Sequence, residues 1–212
     1  MANNQDFNED ILISADRQGA DLKTKTSIYF DNVVISQGSL KINADLAQVS
    51  NKNAGPLYTL KGNPAKLTQT LDDGNQISLE AQEITYQPDS FLITISGQAK
   101  LQQKNSQVLA DEIIYHMKTE RLDANGLPAK LQQGLISGDN ISLQANNITF
   151  QPALSLVSIK GNAKLKQEGS EVHANEITYN MKTEQMEASG NTEQAVTTIL
   201  QPQLQSGTNN EQ

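Results

Sequence analysis

PAKLTQTLDDGNQISLEAQEITYQP, from Pro64 to Pro88, returns as PAKLQQGLISGDNISLQANNITFQP, from Pro128 to Pro152. The match continues beyond both stretches. GQAKLQQKNSQVLADEIIYHMKTERLDANG (Gly97–Gly126) aligns without a gap with GNAKLKQEGSEVHANEITYNMKTEQMEASG (Gly161–Gly190), again 64 residues further on. Roughly half of the aligned positions are identical, and a fixed period of this size marks a repeat architecture.

Each unit divides again into related halves. Ala-Lys-Leu recurs at Ala65–Leu67, Ala99–Leu101, Ala129–Leu131 and Ala163–Leu165. Gly62, Gly97, Gly126, Gly161 and Gly190 are read as closing one strand just ahead of the next. A second motif, Ala-x-x-Ile-x-(Tyr/Phe), stands at Ala81–Tyr86, Ala110–Tyr115, Ala145–Phe150 and Ala174–Tyr179, with a looser copy at Ile42–Val49. The repeat is therefore expected to begin near Ile11 in a diverged form, as terminal units of solenoids do.

The local period is that of strands. Val157, Ile159, Ala163 and Leu165 alternate with Ser158, Lys160, Asn162 and Lys164, and Ile77, Leu79 and Ala81 alternate with Ser78 and Glu80. Asp72–Asn75, Ser137–Asn140, Glu168–Ser170 and the Gln-Pro pairs at 87–88 and 151–152 supply turn chemistry. No stretch carries a helical period. Ala81 and Ile84, three residues apart, break the alternation, as do Ala110/Ile113, Ala145/Ile148 and Ala174/Ile177. A bulge or corner between them would let both apolar sets face inward. Repeated in every layer, that corner predicts an all-β, elongated, twisted open jellyroll of two facing antiparallel sheets.

Composition narrows the function. The chain has 212 residues, 36% hydrophobic and 4% aromatic, which suits a thin, extended core. A net charge of −8, with no run among 16 Lys and Arg, argues against nucleic acid as a partner. The same charge disfavours docking on anionic membranes. Without cysteine there are no disulfides or thiolate metal sites. No apolar run reaches the ~20 residues of a membrane-spanning helix.

Reactive constellations are absent from the pattern. His116 and His173 occupy different repeat positions and have no clustered partners in sequence. Asp111-Glu112 becomes Asn175-Glu176 and Asn146-Asn147 in related positions, an acid–amide interchange that suits solvated corners rather than proton transfer. Lys66, Lys100, Lys130 and Lys164 read as outward, solubilising positions. No catalytic residue, metal or cofactor is expected. The interior itself is the candidate site: aliphatic walls suit acyl chains, and with no Trp a sugar-stacking groove is disfavoured. A dry structural repeat of the adhesin-stalk kind and a polysaccharide-binding β-solenoid remain as alternatives.

DNVVISQGSLKINAD (Asp31–Asp45), GNPAKL (Gly62–Leu67), the ITYQP and EITYNM segments and VTTILQPQLQ (Val196–Gln205) together resemble the OstA-type lipopolysaccharide transport proteins, the LptA group above all. The resemblance covers nearly all of Ile11–Gln205. It implies lipid A acyl chains sliding along the interior and head-to-tail stacking of copies through their edge strands. It further implies caps formed by LptC and LptD homologues, and a periplasmic location after removal of a leader. Carried over by motif, the lipid-facing positions are Ile11, Ile13, Leu67 and Tyr86; the repeat adds Leu131 and Phe150, and the pattern adds Leu101, Tyr115, Leu165 and Tyr179. The expected layout is disordered tails at 1–9 and 201–212 around one domain at 10–200. Its units run about 10–63, 64–126 and 128–190, with a closing strand at 194–200. A typical member has one 64-residue unit fewer, and both a natural extension and an engineered duplication fit that difference.

Overall fold

The computed structural model describes residues 8–52, 55–134 and 140–200. Nearly all of both expected tails, and three residues of the Ser137–Asn140 turn, lie outside the described residues. The chain opens with β1 (Leu12–Ser14), β2 (Arg17–Asp21), β3 (Thr26–Gln37) and β4 (Leu40–Lys52). It continues through β5 (Gly55–Thr70), β6 (Gln76–Gln87), β7 (Leu92–Gln103), β8 (Ser106–His116) and β9 (Arg121–Gly134). It ends with β10 (Asn140–Gln151), β11 (Leu156–Gln167), β12 (Ser170–Asn180), β13 (Gln185–Ser189) and β14 (Thr197–Ile199). Single turns of 3-10 helix at Pro88–Ser90 and Pro152–Leu154 sit where the Gln-Pro pairs predicted turns.

Every strand from β3 to β12 pairs antiparallel with the next in sequence, so the sheet is one long meander. Its two ends are built alike. β1 and β2 pair with the two halves of β3, while β13 and β14 pair with the two halves of β12, so each edge is a strand broken in the middle. The sheet does not close: β1/β2 and β13/β14 are the ends of the path.

The expected corner is present in the pairings from β3 through β12. Register shifts fall between Glu80 and Glu83, Ser96 and Ala99, Leu109 and Glu112, and Ala145 and Asn147, with equivalents in the other pairs. Ala81 and Ile84, Ala145 and Ile148, and Ala174 and Ile177 are consequently buried together. The two facing layers are halves of one folded sheet. Among the described residues no helix covers the apolar side; the halves cover each other, and the Tyr86 hydroxyl donates to Gln37 Oε1 from the opposite half.

The repeated glycines have a different place from the one expected. Gly62, Gly97, Gly126 and Gly161 lie inside continuous strands, at the corner, and not at strand ends; only Gly190 follows a strand end. Two corner types alternate. Asp31-Asn32, Gly97-Gln98 and Gly161-Asn162 turn through positive φ, whereas the corners of β5 and β9 carry cis peptides at Asn63-Pro64 and Leu127-Pro128. The sequences at the corners alternate in the same way, Gly-x-Pro in β5 and β9 and Gly-x-Ala in β7 and β11, in step with the 64-residue period.

A Cβ at Gly97 (φ 77°) would sit 2.6 Å from the Gln82 side chain, and one at Gly161 (φ 78°) 2.8 Å from that of Asn146. Gly97→Ala and Gly161→Ala should each lower stability by more than the roughly 1–2 kcal/mol that a left-handed side-chain-bearing residue costs by itself, because the added Cβ also meets its neighbour. Gly74→Ala, at φ 77° in an open turn, carries only the backbone part of that penalty. Thermal unfolding followed by circular dichroism compares the three; a Gly74 variant as unstable as the corner variants would refute the close-packed corner.

Candidate functional site

Registers align the inward residues into columns that run the length of the molecule. In one half, an aliphatic column reads Ile13, Ile35, Ile42, Leu67, Leu79, Leu101, Val108, Leu131, Leu143, Leu165 and Val172. In the other, Tyr58, Tyr86, Ile93, Tyr115, Leu122, Phe150, Val157, Tyr179 and Met186 follow one another across strands β5 to β13. The alternation of β-branched, leucine and aromatic side chains gives cross-strand packing at each rung.

All ten residues expected in the interior face it. Leu67, Tyr86, Leu101, Tyr115, Leu131, Leu165 and Tyr179 are buried. Phe150, Ile11 and Ile13 are partly buried and pack against the same cluster, the two isoleucines because no layer lies beyond them. Lys66, Lys100, Lys130 and Lys164 lie in the outward positions expected of them, with Lys66 Nζ 2.9 Å from Glu80 on the neighbouring strand. The histidines each meet one carboxylate: His116 lies 3.4 Å from Asp123 and His173 2.9 Å from Glu171. Among the described residues no group of three or more His, Cys, Asp or Glu side chains is placed to hold a metal.

One column escaped the reading of the motifs. Two residues after each Ala-Lys-Leu leucine stands a glutamine: Gln69, Gln103, Gln133 and Gln167. Period two sends it inward, and with Gln37 these residues line the rim of the aliphatic half beside the hairpin turns. Gln37 and Gln69 are the buried polar residues among those described. The motif extended to Ala-Lys-Leu-x-Gln is visible in the sequence.

The seam between glutamine rim and tyrosine rim is where the two halves meet without backbone pairing. Midway along, the seam encloses a cavity of about 20 Å³ between Ile77, Leu101 and Val108 on one side and Tyr115, Leu122 and Phe150 on the other. That is room for about one water molecule. At the C-terminal end the last layer is short, and the interior opens into a cleft of about 350 Å³ lined by Leu165, Val172, Tyr179, Met186 and Leu200. Met186, Ile199 and Leu200 are exposed there.

The fold and site define an open β-jellyroll of repeated hairpins with an apolar interior and, among the described residues, an unpaired edge at each end. The family model described as "LptA/(LptD N-terminal domain) LPS transport protein" matches residues 12–121 and 117–185, and the chain belongs to that family. The lipopolysaccharide export system protein LptA of Haemophilus influenzae is 30% identical over 142 residues, covering 60% of this chain and 83% of that protein. LptA of Escherichia coli K12 is 29% identical over 122 residues, 56% of this chain and 66% of its own. The crystal structure of LptH from Pseudomonas aeruginosa, titled an LptA-homologous periplasmic component, superposes with a TM-score of 0.55 at 24% identity over 57% of this chain and 86% of that one, which supports the fold.

Burial raises the pKa of Tyr115 above the ordinary 10.0, with Glu120 adding to the effect. Burial also raises Tyr179, helped by Glu184, and Tyr58, helped by Tyr29 and Asp89. The folded state thus holds its phenolic protons where the unfolded chain releases them. Stability owed to these groups is complete below pH 10 and falls as pH rises above it. Urea unfolding on either side of pH 10 should show that fall, and Tyr115→Phe should flatten it. A variant with the wild-type alkaline slope would contradict this account.

Proposed function

We propose that the chain is a segment of a periplasmic lipopolysaccharide bridge, with acyl chains held between the two halves of the sheet. The observation that carries this is the unbroken apolar interior in a sheet that never closes. With a mid-length cavity of about 20 Å³, chains can lie there only if the halves part along the seam. Parting is inexpensive for one reason: the walls exchange contact with each other for contact with the chain, and stay dry. The acyl chain itself gains roughly 0.8 kcal/mol per buried CH₂, so twelve such groups contribute about 10 kcal/mol. The exposed cleft at the C-terminal end is the natural place for parting to start.

Self-association uses the two broken edges. Ile13 heads the aliphatic column and Met186 ends the aromatic one, so a second copy added edge to edge continues the interior. This is β-augmentation through a heterologous contact that does not close. LptC and LptD homologues would occupy the terminal edges of such a stack. About two-fifths of this chain lies outside the alignments with its relatives, in keeping with an added 64-residue unit and a longer slide.

A photo-crosslinking residue at Leu67, Tyr86 or Phe150 should capture lipopolysaccharide in Gram-negative cells. Capture only from the outward positions Lys66 and Glu80 would sink the interior path. Ile13→Asp places a charge at the head of the aliphatic column. It should reduce the concentration-dependent mass seen by light scattering and fail to support transport; full complementation would count against the stacked bridge.

A further inference from the structure

Four aromatic residues end the Ala-x-x-Ile-x-(Tyr/Phe) motif, and among the described residues one of them bonds across the seam. Gln37, which ends β3, accepts from the Tyr86 hydroxyl on β6, three strands along and in the opposite half. Both side chains are buried, Tyr86 at 0% and Gln37 at 6% exposed. The Gln37 amide is also held from its other end: its Nε2 donates at 3.0 Å to the Glu9 carbonyl, just ahead of β1. The Tyr58 ring packs beside that of Tyr86, with 5.8 Å between centroids. One repeat on, the counterparts of the pair are Gln103, which ends β7, and Phe150 on β10. Phenylalanine has no hydroxyl to give, and Gln103 and Phe150 both line the mid-seam cavity of about 20 Å³. The hydroxyls of Tyr115 and Tyr179 find no hydrogen-bond partner among the described residues. The seam is thus bridged near its N-terminal end, void at mid-length and open in the C-terminal cleft.

We propose that Gln37 and Tyr86 latch the N-terminal part of the seam. Parting then runs from the C-terminal cleft to the mid-seam cavity and goes further only when this bond breaks. The proposal rests on the seam parting for an acyl chain. A buried bond between neutral groups adds to the packing that holds the halves together, and breaking it without water at hand leaves both groups unsatisfied. With the amide already fixed at Glu9, little side-chain freedom is lost in making the bond. The difference between tyrosine at 86 and phenylalanine at 150 is one hydroxyl, so the repeat encodes a latched layer and an unlatched one with almost the same side chains.

The chain has no cysteine, so a single introduced thiol reports opening at its own position. Ile93 and Val157 are equivalent positions one repeat apart, both 0% exposed, the first paired with Tyr86 and the second with Phe150. The test is the rate at which iodoacetamide labels Ile93→Cys and Val157→Cys in the full-length folded protein, without lipid. Adding Tyr86→Phe should speed labelling of Ile93→Cys about fivefold, the worth of one net hydrogen bond, and leave Val157→Cys unchanged. Gln37→Met should do the same, and the two together should be no faster than either alone, as for partners in one bond. Equal acceleration at both thiols is a general loss of stability and overturns the latch. So does an unchanged rate at Ile93→Cys, or additive effects of the two substitutions. Repeating the labelling with tetradecanoic acid tests the reading beneath: protection of neither thiol counts against the interior path, while the lipid-free rates still decide the latch.

Discussion

A pleated strand shows only every second side chain to one side, yet the even strands β4 to β12 step once by three residues and the odd strands β5 to β11 once by four or five, always at the same level. Ala81 and Ile84 are both buried because the strand turns a corner between them. If one strand turned and its neighbour did not, the pairing between them would fail. The corner must therefore be copied from β3 through β12, and sequence repetition is the means of copying it. Everything else follows: the sheet folds over itself, the halves cover each other, and the interior needs no helix.

Much of this was legible before any coordinates. The constant offset of 64 residues, the period-two runs and the Ala-x-x-Ile interruption fix strand length, facing and corner by local chemistry alone. Of the ten interior positions, the family resemblance gave Ile11, Ile13, Leu67 and Tyr86, the repeat gave Leu131 and Phe150, and the pattern gave the other four. What stayed hidden depended on matters that alternation does not encode. The glycines read as strand ends because glycine punctuates both turns and corners, and only hydrogen bonding across Gly97 and Gly161 tells the two apart. The glutamine column hid for a related reason. A glutamine beside a hairpin turn is commonly solvated, yet Gln69 is buried.

Nor could the sequence report how tightly the halves pack. An interior that binds lipid and one that is merely a core share the same residues. The difference is whether wall-to-wall contact can be exchanged. Here the halves of the sheet are held to each other by side chains alone along the seam, while backbone pairing runs along the molecule's length. Cross-strand ion pairs such as Lys61–Glu83 (3.1 Å) and Lys160–Glu176 (3.5 Å) lie outside and contribute little each. They stiffen the walls without tying one wall to the other. Backbone pairing holds the molecule along its meander, and side chains hold it across its seam.

The alternation of Gly-x-Ala and Gly-x-Pro corners sets a rule for how such a chain can grow. Each strand touches mainly its neighbours, so lengthening leaves distant layers undisturbed. Adding one strand would reverse the chain's direction at the free edge, and adding one hairpin would set two like corners on successive odd strands. Only a whole 64-residue unit restores both direction and corner type. Reach is thus quantised: the molecule is a ruler whose smallest graduation is four strands, close to 20 Å at the usual strand spacing.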